Sequence, residues 1–160
     1  MCLILIFGFF KMLYQFRKFF LLGLVLLVGC ATKVPAPDYS YLAERLPRNY
    51  HGIFRWHGES AEQNVSIAID DVFFDAEKNI VARGTGTYLT MFRETDIDIK
   101  IAIVPETLRF EMWEKSLDGV SDFITDGSHI GMLSKDLKTI TAVWTTRGTG
   151  QQGDLKLEAK

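Results

Sequence analysis

From Tyr50 onward the chain alternates apolar and polar residues with a period of two. The cleanest stretch is 95–104, where Ile97, Ile99, Ile101 and Ile103 alternate with Asp96, Asp98, Lys100 and Ala102. β-Branched residues at every second place suit a pleat with one buried face, whereas a helix would scatter them around its circumference. The same pattern predicts a strand over 51–57, with Gly52, Phe54 and Trp56 in phase, and one over 64–74, with Val65, Ile67 and Ile69 in phase. Over 80–90 the phased residues are Ile80, Ala82, Gly84, Gly86 and Tyr88. Past Pro105, Leu108, Phe110 and Met112 face in against Arg109 and Glu111. Ile140, Ala142 and Trp144 share a face in 139–146, and Leu155 and Leu157 close the last strand. The stretch 119–130 is weaker, with Phe123 and Ile124 on opposite faces and Asp126-Gly127 as a turn signal. Segments 75–79 and 135–138 are polar turns.

Sequential strands with short links pair as antiparallel neighbours, and an even meander of about eight can close on itself. The domain over 50–160 is therefore expected to be all-β, a single antiparallel up-and-down β-barrel, with a two-sheet β-sandwich as the alternative. Gly84 and Gly86 fall on inward positions, where a bent strand or a bulky neighbour calls for glycine. This layout resembles the calycin group (lipocalins, fatty-acid-binding proteins, avidins) in architecture. Lipocalins begin with Gly-x-Trp, whereas this chain has Gly52-Ile53-Phe54-Arg55-Trp56, so their signature is not met. Arg83-Gly84-Thr85-Gly86 recurs as Arg147-Gly148-Thr149-Gly150, which is too short a match to establish a duplication.

The first part of the chain has a different pattern. Arg17 and Lys18 precede an unbroken apolar run that ends in Leu27-Val28-Gly29-Cys30. A basic lead, a short apolar stretch and a small residue before the cut describe an export signal. The last four residues resemble the lipobox of bacterial lipoproteins. That resemblance implies a signal peptide over 1–29 and a lipid on Cys30. With Ala31 rather than Asp after the cysteine, it also implies the outer membrane, facing the periplasm. Met12 heads a tidier basic lead than Met1 does, so the start at Met12 is the expected one. Residues 30–49 then hold the lipidated Cys30, a proline-containing tether, and a possible short helix with Tyr41, Leu42 and Leu46 on one side, ended by Pro47.

Composition narrows the chemistry. All 20 acidic residues follow Cys30, while Lys11, Arg17 and Lys18 precede it, so the domain is more acidic than the chain's net −2. No basic stripe offers itself to a nucleic acid. Once Cys2 is removed and Cys30 lipidated, no thiol remains for a disulfide or a thiolate metal site. His51 and His57 share a strand face but lie about 20 Å apart at roughly 3.3 Å per residue, too far to hold one ion. No metal and no cofactor are expected. Gly127-Ser128-His129-Ile130-Gly131 puts serine at the wrong place for a nucleophile elbow and reads as a loop. Glu94, Asp96 and Asp98 form a solvated row. Glu111 and Glu114 point to opposite faces. Glu114 is in phase with Phe110 and Met112 but at the strand's end, where a rim would keep it wet.

The aromatic residues are the remaining feature. Phe54, Trp56, Tyr88, Phe110 and Trp144 take inward positions, where they fill the barrel or line a cup for a small apolar ligand. Bulky rows against Ala82, Gly84 and Gly86, with no charge seen in phase with them, favour a filled interior. A partner is then expected at the rim or outer wall, near Trp113 and the acidic row. No catalytic residues stand out. The expected function is a non-catalytic binding module, anchored to the membrane through Cys30. Its partner is an envelope protein, a cell-wall fragment or a lipid. The alternatives are a carrier of lipid or small apolar ligands, and an envelope hydrolase or lipid-modifying enzyme.

Overall fold

A computed structural model describes residues 37–117 and 126–160. Eight strands follow in order: β1 (Asn49–Trp56), β2 (Glu62–Phe74), β3 (Ile80–Leu89), β4 (Glu94–Val104), β5 (Arg109–Ser116), β6 (Gly127–Leu133), β7 (Thr139–Thr146) and β8 (Gln152–Ala159). Each pairs antiparallel with the next, and β8 returns to β1, with Gly52 opposite Leu157 and Trp56 opposite Gly153. The sheet is thus a closed up-and-down barrel, and the sandwich alternative is set aside. Closure leaves no unpaired edge to recruit another chain. Cys30, the segment 1–29, the start at Met12, the tether over 31–36, and Phe123 and Ile124 all lie outside the described residues.

Burial follows the alternation. In β4, Ile97, Ile99, Ile101 and Ile103 are buried while Glu94, Asp96, Asp98 and Lys100 are exposed. Charge on the outer wall and apolar residues inside are the reverse of a barrel built to face lipid. In β2 a bulge between Ile69 and Asp71 breaks the phase. The extra residue re-aims the strand beyond it, so that Val72 pairs with the inward Ala82 while Phe73 turns outward and is half-exposed. Phe73 lies beneath the Arg83 guanidinium, 5.2 Å from the ring centre. Gly84 pairs with Ile69 beside this bulge, and a Cβ there would collide with the Ala68 carbonyl. Arg83-Gly84-Thr85-Gly86 lies inside β3, whereas Arg147-Gly148-Thr149-Gly150 forms the β7–β8 turn with Gly150 at φ 70°. The two matching tetrapeptides have different backbones and mark no structural repeat.

The barrel end where β1 starts is closed by apolar groups. Helix α1 (Ser40–Arg45) precedes it. Leu42 and Leu46 join the core, whereas Tyr41, expected on the same side, is half-exposed because so short a helix buries a single residue. Leu46, before Pro47, has the extended backbone that proline imposes on its predecessor. Tyr50 donates its hydroxyl to the Leu137 carbonyl at 2.7 Å, tying β1 to the β6–β7 turn. Ile80, Ile103, Phe110, Leu133, Ile140 and Leu157 fill this end. Asp38–Lys160 is a compact unit with its own closed sheet and core.

Candidate ligand site at the aromatic end of the barrel

At the other end the inward residues change character. Phe54 and Trp56 arrive from the end of β1, Tyr88 from the end of β3 and Trp144 from the end of β7. Their rings meet edge to face: Phe54 is 5.0 Å from Trp56, 5.9 Å from Tyr88 and 6.5 Å from Trp144, and Trp56 is 4.9 Å from Trp144. Such geometry sets the positive edge of one ring on the negative face of the next. Two glycines make room for it. A Cβ on Gly153 would stand 2.7 Å from Phe54 Cε2, and one on Gly127 would stand 2.8 Å from Trp144 Cε2. Of the five inward aromatics expected to act together, Phe110 does not join this group. It sits opposite Ile103, toward the closed end, and is fully buried there.

Beside these rings lies a polar centre. Tyr88 donates its hydroxyl to Glu114 Oε1 at 2.6 Å, and His129 Nε2 lies 3.0 Å from the same oxygen. Tyr88 Oη and His129 Nε2 are 3.4 Å apart. The side chains of His129 and Glu114 are 1% and 4% exposed. Burial, the Glu114 charge and the hydrogen bond to it push the Tyr88 hydroxyl well above the ordinary tyrosine pKa, so it remains a donor. His129 Nδ1 and, two residues beyond Glu114 on the same strand, Ser116 Oγ are buried without a hydrogen-bond partner among the described residues.

This centre overturns two expectations. Glu114 is not a wet rim residue, because β5 runs on to Ser116 and stays paired with β4 as far as Ile97. His129 is not in a loop. Gly127 is the first residue of β6 rather than part of a turn, and His129 faces inward between Met112 of β5 and Trp144 of β7. An inward acid and an inward base therefore do lie in phase with the core rows. The available signal was Glu114 in step with Phe110 and Met112, and His129 in step with Gly127, Gly131 and Leu133.

The outer wall has its own feature. Trp113 points outward and is partly buried, with Lys100 Nζ 5.6 Å from its ring centre. Grooves of about 420 and 330 Å³ flank it, the larger shared with Arg83, Asp98 and Lys115. The acidic row Glu94, Asp96 and Asp98 is exposed as expected, with Asp96 accepting the Thr87 hydroxyl. Among the described residues no three His, Cys, Asp or Glu side chains cluster to hold a metal.

The class defined by these features is a small closed eight-stranded β-barrel with an aliphatic end and an aromatic end that holds a buried Tyr–Glu–His centre. No protein family, curated protein or solved structure matches the chain.

Proposed function

We propose that this chain is a lipid-anchored lipoprotein of the cell envelope, held in the outer membrane and facing the periplasm through Cys30. It acts as a non-catalytic binding module, and its ligand is taken at the aromatic end of the barrel. The supporting observation is the difference between the two ends. One is filled with aliphatic residues and joined by Leu42 and Leu46. The other gathers Phe54, Trp56, Tyr88 and Trp144 around buried polar groups, and its β3–β4 turn holds Met91 and Phe92, 90% and 92% exposed. Apolar walls with a few placed polar groups are the usual makeup of small-ligand sites, and exposed apolar patches mark contact surfaces.

This site also favours the reading as a carrier of lipid or small apolar ligands over contact at the outer wall alone. Lys100 covers the Trp113 ring and withholds part of that aromatic face.

The test has two arms. Expressed whole, the chain should carry lipid on Cys30 and fractionate with outer membranes, and Cys30→Ser should release or stall it. An intact mass showing no lipid would refute the anchor. The barrel unit titrated with envelope lipid extract should show saturable change in Trp56 and Trp144 fluorescence. Absence of saturation would refute the site.

A further inference from the structure

The polar centre narrows the class of ligand. This step rests on the reading of the aromatic end as a binding site. Among the described strands, Glu114 and His129 are the inward-facing acid and base, and they face each other. Lone burial of either charge is expensive, so the pair balances itself. A cationic head group would compete with His129 for Glu114. An anionic one would compete with Glu114 for His129. A neutral head group disturbs neither.

The two buried atoms without a partner among the described residues say more. When His129 is neutral, the hydrogen on Nε2 goes to Glu114 and leaves Nδ1 as an acceptor. When His129 is protonated, Nδ1 becomes a donor. A hydroxyl both donates and accepts through one oxygen, so it satisfies Nδ1 in either state. A buried polar atom left unpaired costs free energy, which a ligand recovers by supplying the missing bond. Ser116 Oγ, without a hydrogen-bond partner among the described residues and two residues from Glu114 on the inward face, offers a second point for the same kind of group.

We propose that the Tyr88–Glu114–His129 centre recognises an amphiphile with an uncharged, hydroxyl-bearing head, whose apolar part lies against Phe54, Trp56 and Trp144. Glu114 and Tyr88 fix the orientation of the His129 ring, and His129 Nδ1 meets the head-group hydroxyl.

Three probes of equal chain length separate head-group charge from hydrophobicity: 1-monolauroylglycerol, laurate and dodecyltrimethylammonium. Asp38–Lys160 forms a compact unit with its own core, so the barrel serves as the test protein. Tryptophan fluorescence should show 1-monolauroylglycerol binding about tenfold tighter than either charged probe, the effect of one recovered hydrogen bond. His129→Gln should erase the preference. Should that variant not fold, the ¹⁵N resonance of His129 Nδ1 in the wild type gives an independent reading, and it should move with 1-monolauroylglycerol and not with the others. Equal affinity for all three probes, or a preference that survives in His129→Gln, would overturn the inference while leaving a binding barrel. Saturation by lipid extract but by none of the probes would overturn the ligand class alone. Saturation by neither would remove the binding site itself.

Discussion

Tyr88 Oη and Glu114 Oε1 are 2.6 Å apart although β3 and β5 are not neighbours; the bond spans the barrel interior past β4. It joins residues 26 apart in the chain and sets a charged acceptor against a buried phenol. Hydrogen bonds to charged groups contribute about 1.5–3 kcal/mol. Tyr88→Phe should therefore lower stability by about that amount in urea melts. Combined with Glu114→Gln, the loss should fall short of the sum of the two single losses, as a double-mutant cycle on a direct contact requires. Strict additivity would mean the two side chains do not interact.

Alkaline pH should unfold the barrel through its buried phenols. Burial, with the nearby Asp136 charge, raises the Tyr50 pKa, and burial with Glu114 raises that of Tyr88. A raised folded value gives stability that is full below the unfolded tyrosine value of about 10 and is lost as pH climbs above it. Tyrosinate absorbance at these two residues should appear with unfolding rather than before it. Tyr88→Phe should flatten the alkaline limb of the stability curve.

Acid acts through the turns. Asp75 is lowered chiefly by its side-chain hydrogen bond with Asn79, and Asp136 by its bond with Ser134. A lowered folded value gives stability that is present above the unfolded carboxylate value of about 3.9 and is lost as pH falls through the folded one. Asp75→Asn and Asp136→Asn should each make stability less dependent on pH below about 4, measured as the shift in melting temperature.

The isoleucine row of β4 should behave as core. Ile101 is 1% exposed and lies opposite Ala82 and Met112. Ile101→Ala should cost about 2–5 kcal/mol in denaturant unfolding. A cost below about 1 kcal/mol would contradict its burial.

Gly153 is a sharper probe of the aromatic end. Its missing side chain leaves the place that the Phe54 ring occupies. Gly153→Val should displace Phe54, cost about 1–3 kcal/mol by overpacking, and alter the near-ultraviolet signal of Trp56 and Trp144. Gly150 lies in the turn beyond, and a Cβ there would meet nothing within 4 Å. Gly150→Ala should therefore leave the near-ultraviolet signal as in the wild type, even though a φ of 70° disfavours alanine.

Which residues face in on β1, β2 up to the bulge, β3, β4 and β7 could be read from the residue order alone, because pleat alternation is a local property of period two. Ile97 to Ile103, Phe54, Trp144 and the exposed acidic row were legible for that reason. Which polar residues are buried follows instead from how the folded strands come together. Glu114 lies 15 residues from His129 and 26 from Tyr88, so their meeting depends on strand ends, register and closure of the sheet. The stretch around His129 carries glycines that weaken the strand signal, and only pairing with β5 and β7 turns it into β6. The bulge at Asp70 is equally a product of pairing, and it set the exposure of Phe73. Periodicity tells which way a side chain points. Whether water reaches it there depends on neighbours brought from elsewhere in the chain.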